Sequence, residues 1–295
     1  MERNEKMNVI TVVLLVMIFL AGLLTACSPA AQSGSEGAEG TSAQKAEPKK
    51  DEDLITGITK RGVLRVGLSI FVPWSFKDKN GELRGFEIDV AEQVAKDFGV
   101  DVEFVPTEWS GLIPSLLTGK FDVIIAGMGI VPERSLKVNF TVPYDYSGMS
   151  MVANKELCAG WDSLEDFNKP DVVLAVRLGT TAVDAVKKFM PKAQVHHFDN
   201  EVQCNQEVIN GKAHANVASM PEPSRWANKH PEVLFLPLEG ELFTQEPICF
   251  ALRKGEHDAL NVFNSWIRLK RDEGWLQERH NYWFVGNDWE KYLAQ

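Results

Sequence analysis

Three short stretches of the 295-residue chain place chemistry-bearing side chains where backbone can approach a ligand. Ala126-Gly-Met-Gly129 follows the apolar run Phe121-Asp-Val-Ile-Ile-Ala126, and Pro132-Glu-Arg134 opens a helical turn just beyond it. Glycine admits close backbone approach, and an arginine fork suits bidentate carboxylate binding, so Gly127, Gly129 and Arg134 form a first candidate group. Taken alone, Arg134 reads equally as a surface or inter-helix ion pair. Leu178-Gly-Thr-Thr181 lies between a strand and the following helix, where backbone N–H groups, hydroxyls and the helix dipole make an anion site. One threonine is explained by helix capping; the pair Thr180 and Thr181 is less so. Arg177, just before this turn, is either a second cation at a cleft mouth or a solvated surface residue. Phe71 and Trp74 in Phe71-Val-Pro-Trp-Ser-Phe76, and Trp109 before Ser110-Gly111, complete the constellation. Trp109 at a strand-to-helix turn lies over the crevice beyond the strand ends, or else packs in the core.

No G-x-S-x-G, H-E-x-x-H, phosphate-loop or dinucleotide glycine pattern occurs in the context it requires, so neither a cofactor nor a metal site is expected. Cys27, Cys158, Cys204 and Cys249 are too scattered for a zinc or redox motif, although two of the last three could pair after export. His196 and His197 at a strand end read as surface or structural residues.

The elements that must position these residues alternate. Val63–Leu68 is strand-like, Phe86 to Phe98 carries apolar residues at helical spacing with Gly99 to stop it, and Val102–Val105 is the next strand. Gly111 to Leu117 predicts a second helix and Phe121–Ala126 a strand buried on both faces. The order repeats with Val172–Val176, a helix from Thr181 to Phe189, Gln194–His197, a helix around Glu201 to Ile209, and Ala215–Ala218. Two α/β units with parallel sheets follow from this order. The strand Ile248–Leu252 and helices near Ala259–Arg271 and Leu276–Trp283 are too short for a third unit and are expected to pack on the first.

A formal net charge of −10 argues against a nucleic-acid partner, which needs clustered lysine and arginine. The first 26 residues open with Arg3 and Lys6, continue through an apolar stretch from Val9 to Leu24, and run into Cys27 as Leu24-Thr-Ala-Cys27. They read as a cleaved secretion signal (1–26). The last four residues look like a bacterial lipobox, which implies lipidation of Cys27 and attachment to a membrane through the lipid. Residues 27–53, rich in Ala, Ser, Gly, Glu and Lys, read as a flexible tether.

In order along the chain, Phe71–Phe76, Gly85-Phe-Glu-Ile-Asp-Val-Ala91, Trp109-Ser-Gly-Leu-Ile-Pro114, Gly119–Gly127, Pro132–Arg134, Phe140-Thr-Val-Pro-Tyr144, Gly179–Thr181 and Trp283-Phe-Val-Gly286 resemble the type 3 periplasmic solute-binding proteins of ABC transporters. The resemblance runs from Leu64 to about Gly286. It implies a periplasmic-binding-protein-like type II fold, with two α/β lobes joined by two hinge crossings. Lobe 1 would be residues 54–144 with 248–295, lobe 2 residues 149–243, and the hinges 144–148 and 244–247. It further implies a monomer that closes on a small carboxylate, an amino acid or a derivative, and presents it to ABC permease subunits. The carboxylate-binding arginine falls on Arg134, the second-lobe donors on Thr180 and Thr181, and the aromatic walls on Phe71 and Trp109.

Departures from the pattern concern the ligand's ammonium. The positions that hold it in amino-acid binders are here Gly129 and Ser219, and Leu68 replaces a further acid. An unpaired ammonium in a closed cleft costs several kcal/mol. Either another carboxylate replaces these, Glu222 being the nearest in sequence, or the ligand lacks a free ammonium. Two arginines and few acids favour an acidic ligand. Two other functions fit the same fold: a cyclohexadienyl dehydratase-like enzyme with Glu222 as general acid, and a sensor ectodomain with a separate output partner.

Overall fold

The structure, a computed structural model, describes residues 52–293. The signal, Cys27 and nearly all of the tether lie outside the described residues. Asp53 accepts a hydrogen bond from the Thr56 backbone at 3.0 Å and so starts α1 (Leu54–Arg61), which Gly62 ends in the left-handed region. This helix has a narrow apolar stripe, with Leu54 and Ile58 buried in the first lobe, too short to stand out from the polar run before it.

After β1 (Val63–Leu68) come the loop that carries Phe71 and Trp74 and the short hairpin β2 (Phe76–Lys77) and β3 (Leu83–Arg84). Helix α2 (Phe86–Phe98) buries Phe86, Val90, Ala91 and Val94 and stops at Gly99, as the spacing predicts. Strand β4 (Asp101–Pro106), a 3₁₀ turn at Trp109–Gly111, α3 (Leu112–Leu117), β5 (Val123–Ile124), α4 (Pro132–Ser135) and β6 (Val138–Phe140) follow. The chain then leaves along β7 (Asp145–Ser147).

The second lobe comprises β8 (Met149–Asn154), α5 (Leu164–Phe167), β9 (Val173–Arg177), α6 (Thr181–Phe189), β10 (Gln194–Phe198), α7 (Glu201–Ile209), β11 (Ala215–Ser219), α8 (Glu222–Lys229) and β12 (Leu234–Phe235). Strand β13 (Glu246–Ile248) returns to the first lobe, where β14 (Ala251–Arg253), α9 (His257–Asp272) and α10 (Trp275–His280) pack. The expected strand Ile248–Leu252 is therefore two pieces. One belongs to the return crossing and one to the first sheet, with the break at Cys249-Phe250.

Each lobe has one five-stranded sheet, ordered β4-β1-β5-β14-β6 and β10-β9-β11-β8-β12. Four in each run in the same sense, β4, β1, β5 and β6 in the first and β10, β9, β11 and β12 in the second, and one is reversed. Strand β14 runs antiparallel to β5 and β6, and β8 antiparallel to β11 and β12. The sheets are thus mixed rather than parallel throughout. A strand fed by a crossover helix re-enters a sheet in the same sense, whereas β8 and β14 follow the crossings directly and arrive from the opposite end. Cys158, Cys204 and Cys249 are all free and buried.

The two crossings pair with each other, β7 antiparallel to β13, with Ser147 opposite Glu246 and Asp145 opposite Ile248. At Gly148 they come closer than any side chain permits: a Cβ there would lie 2.1 Å from the Thr244 carbonyl oxygen. Behind the outgoing crossing, the Tyr144 hydroxyl donates to the Glu87 carboxylate of α2, with oxygens 2.6 and 2.7 Å away. Both residues are buried, and burial pushes Glu87 up to about 8.

Two outcomes are expected. Gly148→Ala forces the crossings apart; overpacking of this kind costs about 1–3 kcal/mol, so the thermal midpoint falls by roughly 2–10 °C, read by circular dichroism. Because Glu87 keeps its proton in the folded chain to a higher pH than in the unfolded one, the folded state binds the extra proton between about 4.5 and about 8. Stability falls as pH rises through that window and levels off above it. Glu87→Gln removes this loss, so the variant gains on the wild type by roughly 7–14 °C between pH 5 and pH 8. Parallel midpoint curves for the two proteins would refute the assignment.

Candidate functional site

The loops that follow the C-terminal ends of β1, β5, β9 and β11 face one another, the place where parallel α/β sheets bind ligands. Between them lies a narrow cleft with a cavity volume of about 40 Å³. The structure brings ten of the eleven residues singled out in the sequence to its walls. Phe71, Trp74, Trp109, Gly127, Gly129 and Arg134 come from the first lobe, and Arg177, Thr180, Thr181 and Ser219 from the second. Glu222 is the exception: it lines a larger neighbouring cavity. It is buried, accepting from Trp226 Nε1 at 2.6 Å and from Arg225 Nε at 3.1 Å.

On the first-lobe side, the turn at Gly127 has a φ of 63°, and a Cβ there would stand 3.3 Å from the Trp74 ring. Glycine lets the chain lie flat on the indole. Trp74 is only 3% exposed, and its ring N–H has no partner among the described residues, a donor left over at the cleft wall. Arg134 is 9% exposed, and its Nη1 donates to the Gly129 carbonyl at 2.8 Å. Its Nη2 reaches across the cleft to the Gly179 carbonyl of the second lobe at 3.1 Å. The Trp109 indole N–H donates to that same oxygen at 2.9 Å, so Trp109 faces the cleft rather than the core.

In the second lobe, Arg177 is neither solvated nor at the surface; it is 3% exposed. Its Nη2 donates to Ser69 Oγ of the first lobe at 2.6 Å and its Nε to the Asp199 carbonyl at 3.2 Å. Thr180 turns its hydroxyl to the Arg177 carbonyl at 2.8 Å, closing the turn that starts α6. The Thr181 hydroxyl donates to Glu246 Oε2 at 2.9 Å, and Ser219 shares a 2.7 Å hydrogen bond with Ser147 of the outgoing crossing.

Glu246 and Glu201 also line the cleft, and sequence reasoning missed both. The cleft is therefore not short of acids. Glu246 stood in a segment read only as a connector, and Glu201 looked like an ordinary acid in the first turn of a helix. Glu246 takes the room that Gly129 leaves: a Cβ at 129 would lie 3.2 Å from Glu246 Oε2. Burial raises the Glu246 carboxyl above its ordinary value, against the Thr181 hydrogen bond and the nearby Arg134 charge. Glu201 is pushed up to about 7, first by burial and then by the Glu222 carboxylate, while Asn216 and Arg177 oppose the rise. Burial likewise pulls Arg134 and Arg177 below the usual guanidinium value. The cleft thus holds two cations and two carboxylates out of bulk water, where each is worth more to a complementary ligand.

Comparison with known proteins agrees with this geometry. The bacterial extracellular solute-binding proteins, family 3, match residues 64–286. The chain is 31% identical over 235 residues to the L-cystine-binding protein TcyJ of Escherichia coli, covering 79% of this chain and 87% of that one. It is 25% identical over 243 residues to a cyclohexadienyl dehydratase of Pseudomonas aeruginosa, covering 81% and 88%. Among solved structures, an ancestral amino acid-binding protein, a precursor of cyclohexadienyl dehydratase, superposes with a TM-score of 0.72 at 43% identity, over 79% of this chain and 100% of that chain. With two mixed α/β lobes, a charged cleft between them and a family match over most of its length, the chain belongs to the bacterial extracellular solute-binding proteins, family 3.

Proposed function

We propose that the chain is the extracytoplasmic receptor of an ABC importer and captures an amino acid between its lobes. One observation carries this reading: Arg134 and Glu246 stand at one end of the cleft, each bonded to neutral protein groups rather than to the other. Arg134 takes the ligand's carboxylate. Glu246 takes its ammonium, the role for which Glu222 was the candidate in sequence. The relatives named for binding L-cystine and amino acids support the same ligand class.

Closure follows from where the contacts lie. Arg134 and Trp109 belong to one lobe, Thr180, Thr181 and Arg177 to the other, and Glu246 to the returning crossing. A ligand touching all three favours the arrangement in which they converge, and so shifts an open–closed equilibrium. The hinge segments are 144–148 and 244–247, and a monomer suffices, since both walls of the cleft come from one chain. Permease subunits receive the closed form. Residues 1–26 direct export and are removed, leaving lipidated Cys27 at a membrane surface and residues 27–53 as the tether. Binding rather than turnover is taken as the activity: Glu222, the acid that the sequence offered for proton donation, is tied to Arg225 and Trp226 outside the cleft.

The test is calorimetric titration with a panel of L-amino acids. At least one binds saturably without forming product, and Arg134→Met weakens it by about 30- to 1,000-fold, the usual cost of truncating one side of a buried charge pair. Circular dichroism checks that the variant is folded. If no amino acid binds, or the variant binds within threefold of wild type, the reading fails. For the anchor, Cys27→Ala moves the protein from the membrane fraction to the soluble fraction; unchanged fractionation would exclude lipid attachment at this cysteine.

A further inference from the structure

Among the described residues, three hydrogen bonds run directly from one lobe to the other, and they fall in two places. Two converge on the Gly179 carbonyl, from Trp109 and Arg134. The third stands apart: Arg177 Nη2, at the end of β9, donates to Ser69 Oγ, just past the end of β1, at 2.6 Å. Arg177 lines both the cleft and the neighbouring cavity, whereas Ser69 lines the neighbouring cavity alone. The bond therefore joins the lobes beside the ligand space rather than across it.

Each partner is fixed within its own lobe. Arg177 Nε donates to the Asp199 carbonyl at 3.2 Å, and the Arg177 carbonyl accepts from Thr180 Oγ1 at 2.8 Å. On the first lobe, the Ser69 carbonyl accepts from Ser75 Oγ at 2.6 Å. Both side chains are buried, and the same guanidinium lies 5.7 Å from the Trp109 ring centroid, a second first-lobe contact. Acids surround Arg177 without bonding to it: Glu201 and Glu222 from α7 and α8 of its own lobe, and Glu108 from the first. When the lobes part, both first-lobe contacts are lost together. A hydrogen bond from a charged donor is roughly twice as strong as a neutral one, and this one exists only in the closed arrangement.

We propose, resting on the receptor reading above, that Arg177 and Ser69 form a latch that sets how long a ligand stays, whatever that ligand's side chain. Arg177 is then a positioning residue, acting through Ser69. Selection stays with Arg134 and Glu246. A ligand leaves from the open form, so any factor lost from the closing equilibrium appears in the dissociation rate. A ligand contact behaves differently: losing it weakens some ligands more than others, and Ser69, which does not line the cleft, plays no part.

The experiment is stopped-flow tryptophan fluorescence of the detergent-solubilised full chain with L-cystine, L-glutamine and L-arginine. Arg177→Met and Ser69→Ala each speed dissociation about tenfold, the worth of one hydrogen bond to a charged group, by the same factor for every ligand that binds. Association changes less than threefold, and the double variant releases ligand no faster than Arg177→Met alone. A ligand-free measurement runs beside it. Spin labels at Lys96→Cys and Lys187→Cys, exposed positions on the two lobes, report the interlobe distance, and both latch variants lose most of the wild type's short-distance population. Ser69→Ala releasing ligand within twofold of wild type, unequal effects among ligands, or additive effects in the double variant would overturn the latch and leave the amino-acid reading standing. If no amino acid binds the wild type, the amino-acid reading falls and the distance measurement alone decides the latch. A short-distance population missing from the wild type, or unchanged in the variants, then overturns it. Ser69→Ala, which removes a single oxygen, decides the matter even where Arg177→Met fails to fold.

Discussion

The carbonyl oxygen of Gly179 accepts hydrogen bonds from Trp109 and Arg134 of the opposite lobe, and the geometry of the cleft depends on that convergence. Gly179 has a φ of 74°, and a Cβ on it would touch the Trp109 ring edge at 3.7 Å. A residue with a side chain would strain the turn, which has a φ in the left-handed region, although its Cβ would only touch the indole. Because the turn presents its carbonyl outward, the same few residues start α6, orient Thr181 toward Glu246, and bring the Trp109 ring beside both arginines.

Four charges in so small a space, three of them buried and Glu246 half-buried, would be a liability if they were arranged at random. Each carboxylate instead has a cation nearby and a neutral donor in contact: Thr181 for Glu246, Asn216 for Glu201. Each guanidinium rests on carbonyl or hydroxyl oxygens. The protein thereby keeps its charges desolvated but fixed in direction, and fixed dipoles and charges cost no reorganisation when a ligand arrives. The net charge of −10 says nothing of this balance, since it sums mostly solvated side chains.

Much of the fold could be read from periodicity and punctuation. Helix α2 ends at Gly99 where the spacing placed its stop, and α6 and α7 have the boundaries their apolar patterns predict. What escaped depends on contacts distant in sequence. The antiparallel strands β8 and β14 are set by how the crossings enter each sheet, which no local pattern records. Phe121–Ala126 is apolar but for Asp122, yet the strand proper is only Val123 and Ile124; the Asp122 and Ile125 backbone N–H groups on either side still donate to the Arg65 and Gly67 carbonyls of β1. The site was legible where residue type and turn geometry coincide, as at Arg134 and Gly179 to Thr181. It was illegible at Glu246 and Glu201, since a glutamate in a connector and one in a first helical turn look alike whether they face water or a cleft.

Gly129 and Glu246 show how a departure from a family pattern becomes interpretable only in three dimensions. Read along the chain, a glycine in place of a hydroxyl residue is a lost ligand contact. In space it is vacated volume, and the carboxylate that fills it comes from β13, more than a hundred residues later in the chain. The substitution moves a contact from a first-lobe loop to the segment that joins the lobes. A ligand ammonium bound by Glu246 would then act directly on the crossing itself, so the group that selects the ligand and the segment on which closure turns would be the same few residues.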